Sequence, residues 1–244
     1  MPNERQSHLL KKCEAALGRQ EFFSFYQELI KELKSIQVGV WSFDDDIPRC
    51  LFIRHLQNPL FGEVAKTIYL AGWYQHDPVL KEVKALEVGT RIIESFRETK
   101  DKYPEEFLRA FSSIFKENNP EFGFSDRITL LAATPTLRMV MHLYFDDTRE
   151  IDQELFPTFV DLSIRHFSAA PQLTATYEPE PHPVLAKLSD REREVCLGIL
   201  SGKKAERIAA DMDIAASTVV TYRRRAYEKL GINTRASLFE LCQF

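Results

Sequence analysis

Residues 188–241 read LSDREREVCLGILSGKKAERIAADMDIAASTVVTYRRRAYEKLGINTRASLFEL, and the spacing in this stretch decides the fold of the C-terminal region. Ser189-Asp190-Arg191-Glu192 sets a serine three residues before a glutamate, the reciprocal cap that satisfies two orphan backbone donors at a helix start. The helix it opens carries Val195, Leu197, Ile199 and Leu200 and stops at Ser201-Gly202. A short helix follows, with Ile208, Ala209 and Met212 inward. Beyond Asp213-Ile214-Ala215-Ala216-Ser217 a longer helix runs to Leu230, where Gly231 ends it. The last helix, Ala236 to Gln243, offers Leu238, Phe239 and Leu241 for packing. Short helices with a tight turn between the second and third predict a helix-turn-helix.

Leu188, Arg191 to Val195, Gly202, Ile208-Ala209, Ile214, Thr218-Val219, Tyr227, Lys229-Leu230-Gly231 and Arg235 keep one spacing through this region. In these positions the stretch resembles the LuxR/GerE-type helix-turn-helix. The resemblance implies a four-helix DNA-binding domain whose third helix enters the major groove. At about 100° per residue from Val219, the inward face holds Val219, Tyr222, Ala226 and Leu230. The opposite face holds Ser217, Thr221, Arg224, Arg225 and Glu228, with Val220 at the flank. A methyl from Val220 or Thr221 suits the thymine methyl, and Arg224 suits guanine O6/N7. Arg225, Lys203 and Lys204 are placed for phosphate, and the resemblance adds Ser217 and Thr218 to the DNA-contacting set. Four positions depart from the family's usual residues: Lys204 for a short polar residue, Asp213 for the turn glycine, Ala215 for a capping serine and Arg223 for an aliphatic side chain. Asp tolerates the left-handed conformation. Ser217 is an alternative cap for a helix that starts later, and Arg223 is expected to snorkel or to pair with an acid such as Glu194.

Working outward, residues 171–186 contain Pro171, Pro179, Pro181 and Pro183. Proline removes backbone donors and restricts its predecessor, which predicts an extended linker. The chain then divides into residues 1–170, a linker over 171–186, and residues 187–244. In the first part, Glu21 to Leu33 carries a helical apolar stripe, and Gln37–Phe43 and Arg49–Leu56 read as a hairpin about Asp44-Asp45-Asp46. Helices are expected over 63–73, 78–86, 104–116 and 151–167, and strands over 90–94, 127–133 and 137–145. The fold class is therefore α+β. The expected architecture is an N-terminal α/β/α sandwich around an antiparallel sheet, PAS- or GAF-like, followed by the four-helix domain.

The chain has 244 residues, 32 Lys/Arg and 36 Asp/Glu, a net charge of −4. Residues 187–244 hold 11 basic and 8 acidic side chains, a net +3, and residues 1–186 hold 21 and 28, a net −7. The acidic average belongs to the first domain and hides a mildly basic second one. A modest +3 binds DNA loosely in one copy, which favours a homodimer on an inverted-repeat duplex. No apolar run reaches the length of a membrane span, and no signal-peptide pattern opens the chain, so a cytoplasmic location is expected. Cys13, Cys50, Cys196 and Cys242 lack zinc-site spacing, and His55, His76 and His142 lack ligand spacing, so no metal is assigned. There is no G-x-S-x-G, HExxH, Walker or dinucleotide fingerprint, which argues against an enzyme.

Trp73-Tyr74-Gln75-His76-Asp77-Pro78-Val79 resembles the Asp-Pro-Val segment of the quorum-sensing branch of the LuxR family. The resemblance implies an autoinducer-domain-like sensor in which Asp77 accepts a hydrogen bond from a ligand amide. The branch's pocket Trp and Tyr fall on Val64 and Ile68, with Tyr69 one position away, which marks a divergent or solo member. Trp41, Tyr69, Trp73 and Asp77 are the ligand-binding candidates; each aromatic has a core alternative, and Asp77 is also a good helix cap. The signal class left open is an acyl-homoserine-lactone-like or other small amphipathic molecule, or none; no other cofactor is expected. The expected function is a dimeric, sequence-specific transcription regulator, with RNA polymerase a candidate partner. The competing reading is an anti-activator, or a ligand-independent regulator, that works through N-terminal heterodimerisation.

Overall fold

The structure is a computed structural model that describes residues 2–56, 59–70, 72–105, 107–108, 124–148, 151–171, 173 and 184–242. Most of the expected 104–116 helix and of the proline-rich linker lies outside them. The chain forms two compact units, one from residues 1–57 and 72–178, the other from 58–71 and 179–244.

The N-terminal unit opens with α1 (Glu4–Ala15) and α2 (Phe22–Glu32). The composition of α1 is polar, and the apolar pattern predicts no helix there. Asn3 and Gln6 nevertheless form a capping box, and Leu9 and Cys13 point inward at helical spacing. Strands β1 (Gln37–Ser42), β2 (Arg49–His55), β3 (Arg91–Ser95), β4 (Asp126–Ala133) and β5 (Arg138–Phe145) form one antiparallel sheet in the order β2-β1-β5-β4-β3. On one face Val38, Val40, Leu130, Met141 and Leu143 meet the apolar stripes of α1, α2 and α6 (Leu155–Ala169). Tyr26 stacks on Phe159 at 5.1 Å, and its hydroxyl shares a 2.8 Å hydrogen bond with Ser163 inside this core. Against the other face lie α4 (Val79–Ala85) and the short α5 (Phe96–Thr99), both touching β4. This is the expected α/β/α sandwich.

The C-terminal unit contains α7 (Asp190–Leu200), α8 (Ala205–Asp211), α9 (Ala216–Leu230) and α10 (Arg235–Leu241) around Val195, Ile199, Ile208, Val219, Ala226 and Leu238. Residues 59–70 form a helix, α3 (Pro59–Leu70), that groups with this unit and adds Val64 to its core.

Candidate functional site

In the C-terminal unit the caps fix how α9 is presented. Ser189 N–H donates to Glu192 Oε2 at 2.9 Å, and Glu192 N–H donates to Ser189 Oγ at 3.4 Å. Lys229 Nζ donates to the same Glu192 carboxylate at 2.7 Å and ties the last turn of α9 to the first turn of α7. Burial pushes the Glu192 carboxyl up, but the bonds from Lys229 and Ser189 together hold it below its usual value. Asp213 takes φ +52° in the turn, the left-handed conformation expected of it. α9 starts at Ala216 with Ala215 as its cap residue and no side-chain cap bond. Ser217 therefore lies inside the first turn, and the later start that would have made it the cap does not occur.

Val219, Ala226 and Tyr227 of α9 are buried, and Tyr222 and Leu230 are half-buried. Ser217, Val220, Arg224 and Arg225 are exposed; Thr218 and Thr221 are half-buried. Thr221 Oγ1 donates to the Ser217 carbonyl at 3.0 Å, which fixes the side chain that carries its methyl. Arg224 Nε lies 3.9 Å from Glu228 Oε1, with both side chains more than two-thirds exposed. Such a pair is worth at most about 1 kcal/mol, so the guanidinium is readily released to another acceptor. Lys203 Nζ is held at 2.8 Å by Asp211, and Lys204 is exposed at the cap of α8.

Lys203, Lys204 and Val220 line one cleft of about 260 Å³, together with Arg223 and Arg235, which lie outside the DNA-contacting set expected from the sequence. Arg223 makes no ion pair among the described residues; Glu194 pairs instead with Arg191 at 3.1 Å. On the helical wheel Arg223 falls about 40° from Val219, next to the inward-facing Leu230, so the wheel alone places it at the edge of the core and not in the site. Arg235 is brought in only by the packing of α10.

In the N-terminal unit the antiparallel register puts Gly39, His142, Thr129 and Glu94 in one cross-strand row, and Gln37, Tyr144 and Arg127 in the next. Asp77 meets this face, 3% exposed. Its Oδ1 accepts from the N–H of Val79, the first residue of α4, at 3.3 Å, and its Oδ2 lies 4.0 Å from Arg127 Nη1 and 3.7 Å from His142 Nε2. Arg127 Nη2 donates to the Tyr103 hydroxyl at 2.5 Å, and its guanidinium sits over the Phe96 and Tyr103 rings at 5.2 and 5.3 Å. His142 Nδ1 shares a 3.1 Å hydrogen bond with Thr129 Oγ1. Burial raises the Asp77 carboxyl against the pull of Arg127, and burial together with Arg127 keeps His142 neutral.

Trp41 is buried, and its Nε1 lies 3.1 Å from where a Cβ on Gly39 would stand, so the glycine makes room for the indole. Trp73 is half-buried and packs edge-on to Phe107 at 6.1 Å. Tyr69 is on α3 and belongs to the other compact unit, so the four ligand-binding candidates do not share one unit. Arg127 and His142 lie outside the ligand-binding set expected from the sequence, although strand alternation places them with Thr129 on one face.

Burial pushes the Cys13 and Cys196 thiols up to about 12 and Cys242 up to about 11, which keeps them as unreactive thiols. No group of side chains among the described residues has the make-up of a metal site. No helix among them is long and apolar enough to cross a membrane.

Residues 186–242 match the GerE family, described as bacterial regulatory proteins of the luxR family. Over 55 residues the chain is 49% identical to "Probable transcriptional regulatory protein NarL" from two strains of Mycobacterium tuberculosis, CDC 1551 / Oshkosh and ATCC 25618 / H37Rv. That match covers 22% of this chain and 26% of the relative, so the chain spans about a quarter of the length of these curated relatives. Among solved structures, SdiA in complex with octanoyl-rac-glycerol aligns over 98% of this chain and 94% of its own, with 13% identity and a TM-score of 0.42. The VqsR LBD domain from Pseudomonas aeruginosa aligns over 72% of this chain and 99% of its own, with 18% identity and a TM-score of 0.45. The C-terminal region thus carries a luxR-type helix-turn-helix.

Proposed function

We propose that the chain is a DNA-binding transcription regulator of the luxR type that reads duplex DNA with α9 as a homodimer on an inverted-repeat site. The observation that carries the reading is the two-sided character of α9. Val219, Ala226 and Tyr227 anchor it in a core, while Val220, Arg224 and Arg225 stand free of that core. A helix held in this way presents a methyl group and a guanidinium to base edges without rearrangement. Lys203, Lys204, Ser217, Thr218, Thr221 and Arg225 supply backbone and base contacts around them. Two copies are needed because one short helix reads few base pairs. Residues 1–170 serve as the sensor and dimerisation domain, joined through the 171–186 linker to the reader at 187–244, and the protein works in the cytoplasm.

The Asp77, Arg127 and His142 cluster is the polar centre around which a small amphipathic signal is read in the N-terminal unit. Native mass spectrometry of freshly purified protein tests both this and the dimer: twice the chain mass plus a bound small molecule supports them, and a bare monomer at micromolar protein overturns them.

The DNA reading is tested with Arg224→Ala on a selected operator and its single-base variants. The variant is expected to lose about 1–3 kcal/mol of discrimination at one base pair per half-site. An unchanged preference at every position, with the wild-type protein selective, removes Arg224 from base readout.

A further inference from the structure

The cleft beside α9 carries more positive charge than the expected contact residues explain. Its floor is apolar, formed by Ile199, Ile208 and Val219. Its rim holds Lys203, Lys204, Arg223 and Arg235, with Glu206 as the one acid among its lining residues. Lys203 is already neutralised by Asp211 at 2.8 Å. Lys204 and Arg223 are exposed and have no ion pair among the described residues. Arg235 is oriented from behind: its Nη2 donates to the Ile199 carbonyl at 3.4 Å, and its guanidinium lies over the Phe239 ring at 5.4 Å.

On the wheel of α9, Arg223 sits about 40° from Val219, between the core and the flank of Val220. An arginine there covers the apolar floor with its methylenes and carries its charge to the cleft mouth. Val220 lines the cleft from the recognition flank, while Thr221 and Arg224 lie further round α9, so the cleft opens beside the base-reading face. Three cations converging beside a DNA-reading helix complement a phosphodiester.

We propose that this cleft seats one backbone phosphate of the bound duplex, with Arg223 as its principal contact and Lys204 and Arg235 as flanking donors. The assignment rests on the DNA-binding reading above and adds a contact that the recognition face does not contain. It makes Arg223 a positioning residue: it fixes how α9 lies on the duplex and carries no sequence preference of its own. Guanidinium suits the seat because its planar fork binds phosphate bidentately, whereas an ammonium acts only as a point charge.

The experiment is fluorescence anisotropy of the full chain on a labelled mixed-sequence duplex, repeated across a series of KCl concentrations. Each neutralised phosphate contributes about 0.9 to the slope of log K against log salt. Arg223→Met is expected to lower that slope by about 0.9 and to weaken binding equally on all sequences, while Arg223→Lys restores the slope. Lys204→Met, which alters an exposed position in the same rim, is expected to act in the same direction. An Arg223→Met protein with the wild-type slope overturns the phosphate seat and leaves the DNA reading intact. A wild-type chain that binds no duplex overturns the DNA reading itself, and the seat with it.

Discussion

Gly198 stands in the last turn of α7, where glycine costs up to about 1 kcal/mol relative to alanine. A Cβ built on it comes 2.8 Å from Ile208 Cγ1 and 2.9 Å from Cδ1, so α8 packs directly on bare α7 backbone. Overpacking costs about 1–3 kcal/mol and outweighs the propensity gain. Gly198→Ala is therefore expected to destabilise the C-terminal unit by about 1 kcal/mol, and adding Ile208→Val is expected to recover part of it. Thermal unfolding followed by far-ultraviolet circular dichroism checks this; a higher midpoint for Gly198→Ala contradicts the close approach. At this scale legibility was uneven. The left-handed Asp213 and the Ser189–Glu192 box were readable because each depends only on its neighbours in sequence. Arg127 was not, because its burial depends on Asp77 from one segment and Tyr103 from another. Tyr69 lies eight positions from Asp77 in sequence, yet its helix packs with the other unit, which no local pattern records.

At the scale of elements, α9 begins without a side chain on its first donors. Thr218 N–H donates to the Ala215 carbonyl at 2.9 Å, and the Ala215 side chain contributes nothing. Ala215 already has the extended backbone of a cap residue, φ −71° and ψ 147°, so a serine there needs no rearrangement. Ala215→Ser is expected to stabilise the C-terminal unit by about 0.5–2 kcal/mol, read as a higher midpoint in urea unfolding. An unchanged or lower midpoint means that the donors at the start of α9 are satisfied in another way. Most elements were legible because apolar spacing and turn residues agreed: all five strands and α7 to α10 lie within a few residues of their expected positions. Two helices lay outside the expected set: α5, a single turn of four residues too short to leave a periodic pattern, and α1, which is amphipathic with few apolar positions and a capping box that has to be weighed against its polar composition.

At the scale of the molecule, the two units answer to different physics. The N-terminal unit buries His55, His142 and His166 in neutral form; burial lowers His55 and His166 to about 4, and His142 well below its usual value. In the unfolded chain histidines take up protons near 6.5, so the unfolded state binds more protons as pH falls from about 6.5 toward 4, and stability is lost over that window. Asp77, raised by burial, acts in the opposite sense, since its contribution is lost as pH rises through its folded value. Three histidines against one carboxyl leave a net loss in acid. Trp41 and Trp73 are the chain's two tryptophans and both lie in this unit, so tryptophan fluorescence reports it alone. Its denaturant midpoint is expected to fall between pH 7 and pH 5; a flat midpoint contradicts the neutral histidines. Residues 187–244 instead concentrate exposed cations on a small core, and their net +3 leads to the expectation that one copy is a weak reader. The most direct test is selection from a random duplex pool by the full-length chain at physiological salt. The expected product is an inverted repeat whose half-sites lie about one helical turn apart. A pool that remains unenriched after repeated rounds contradicts sequence-specific reading by α9.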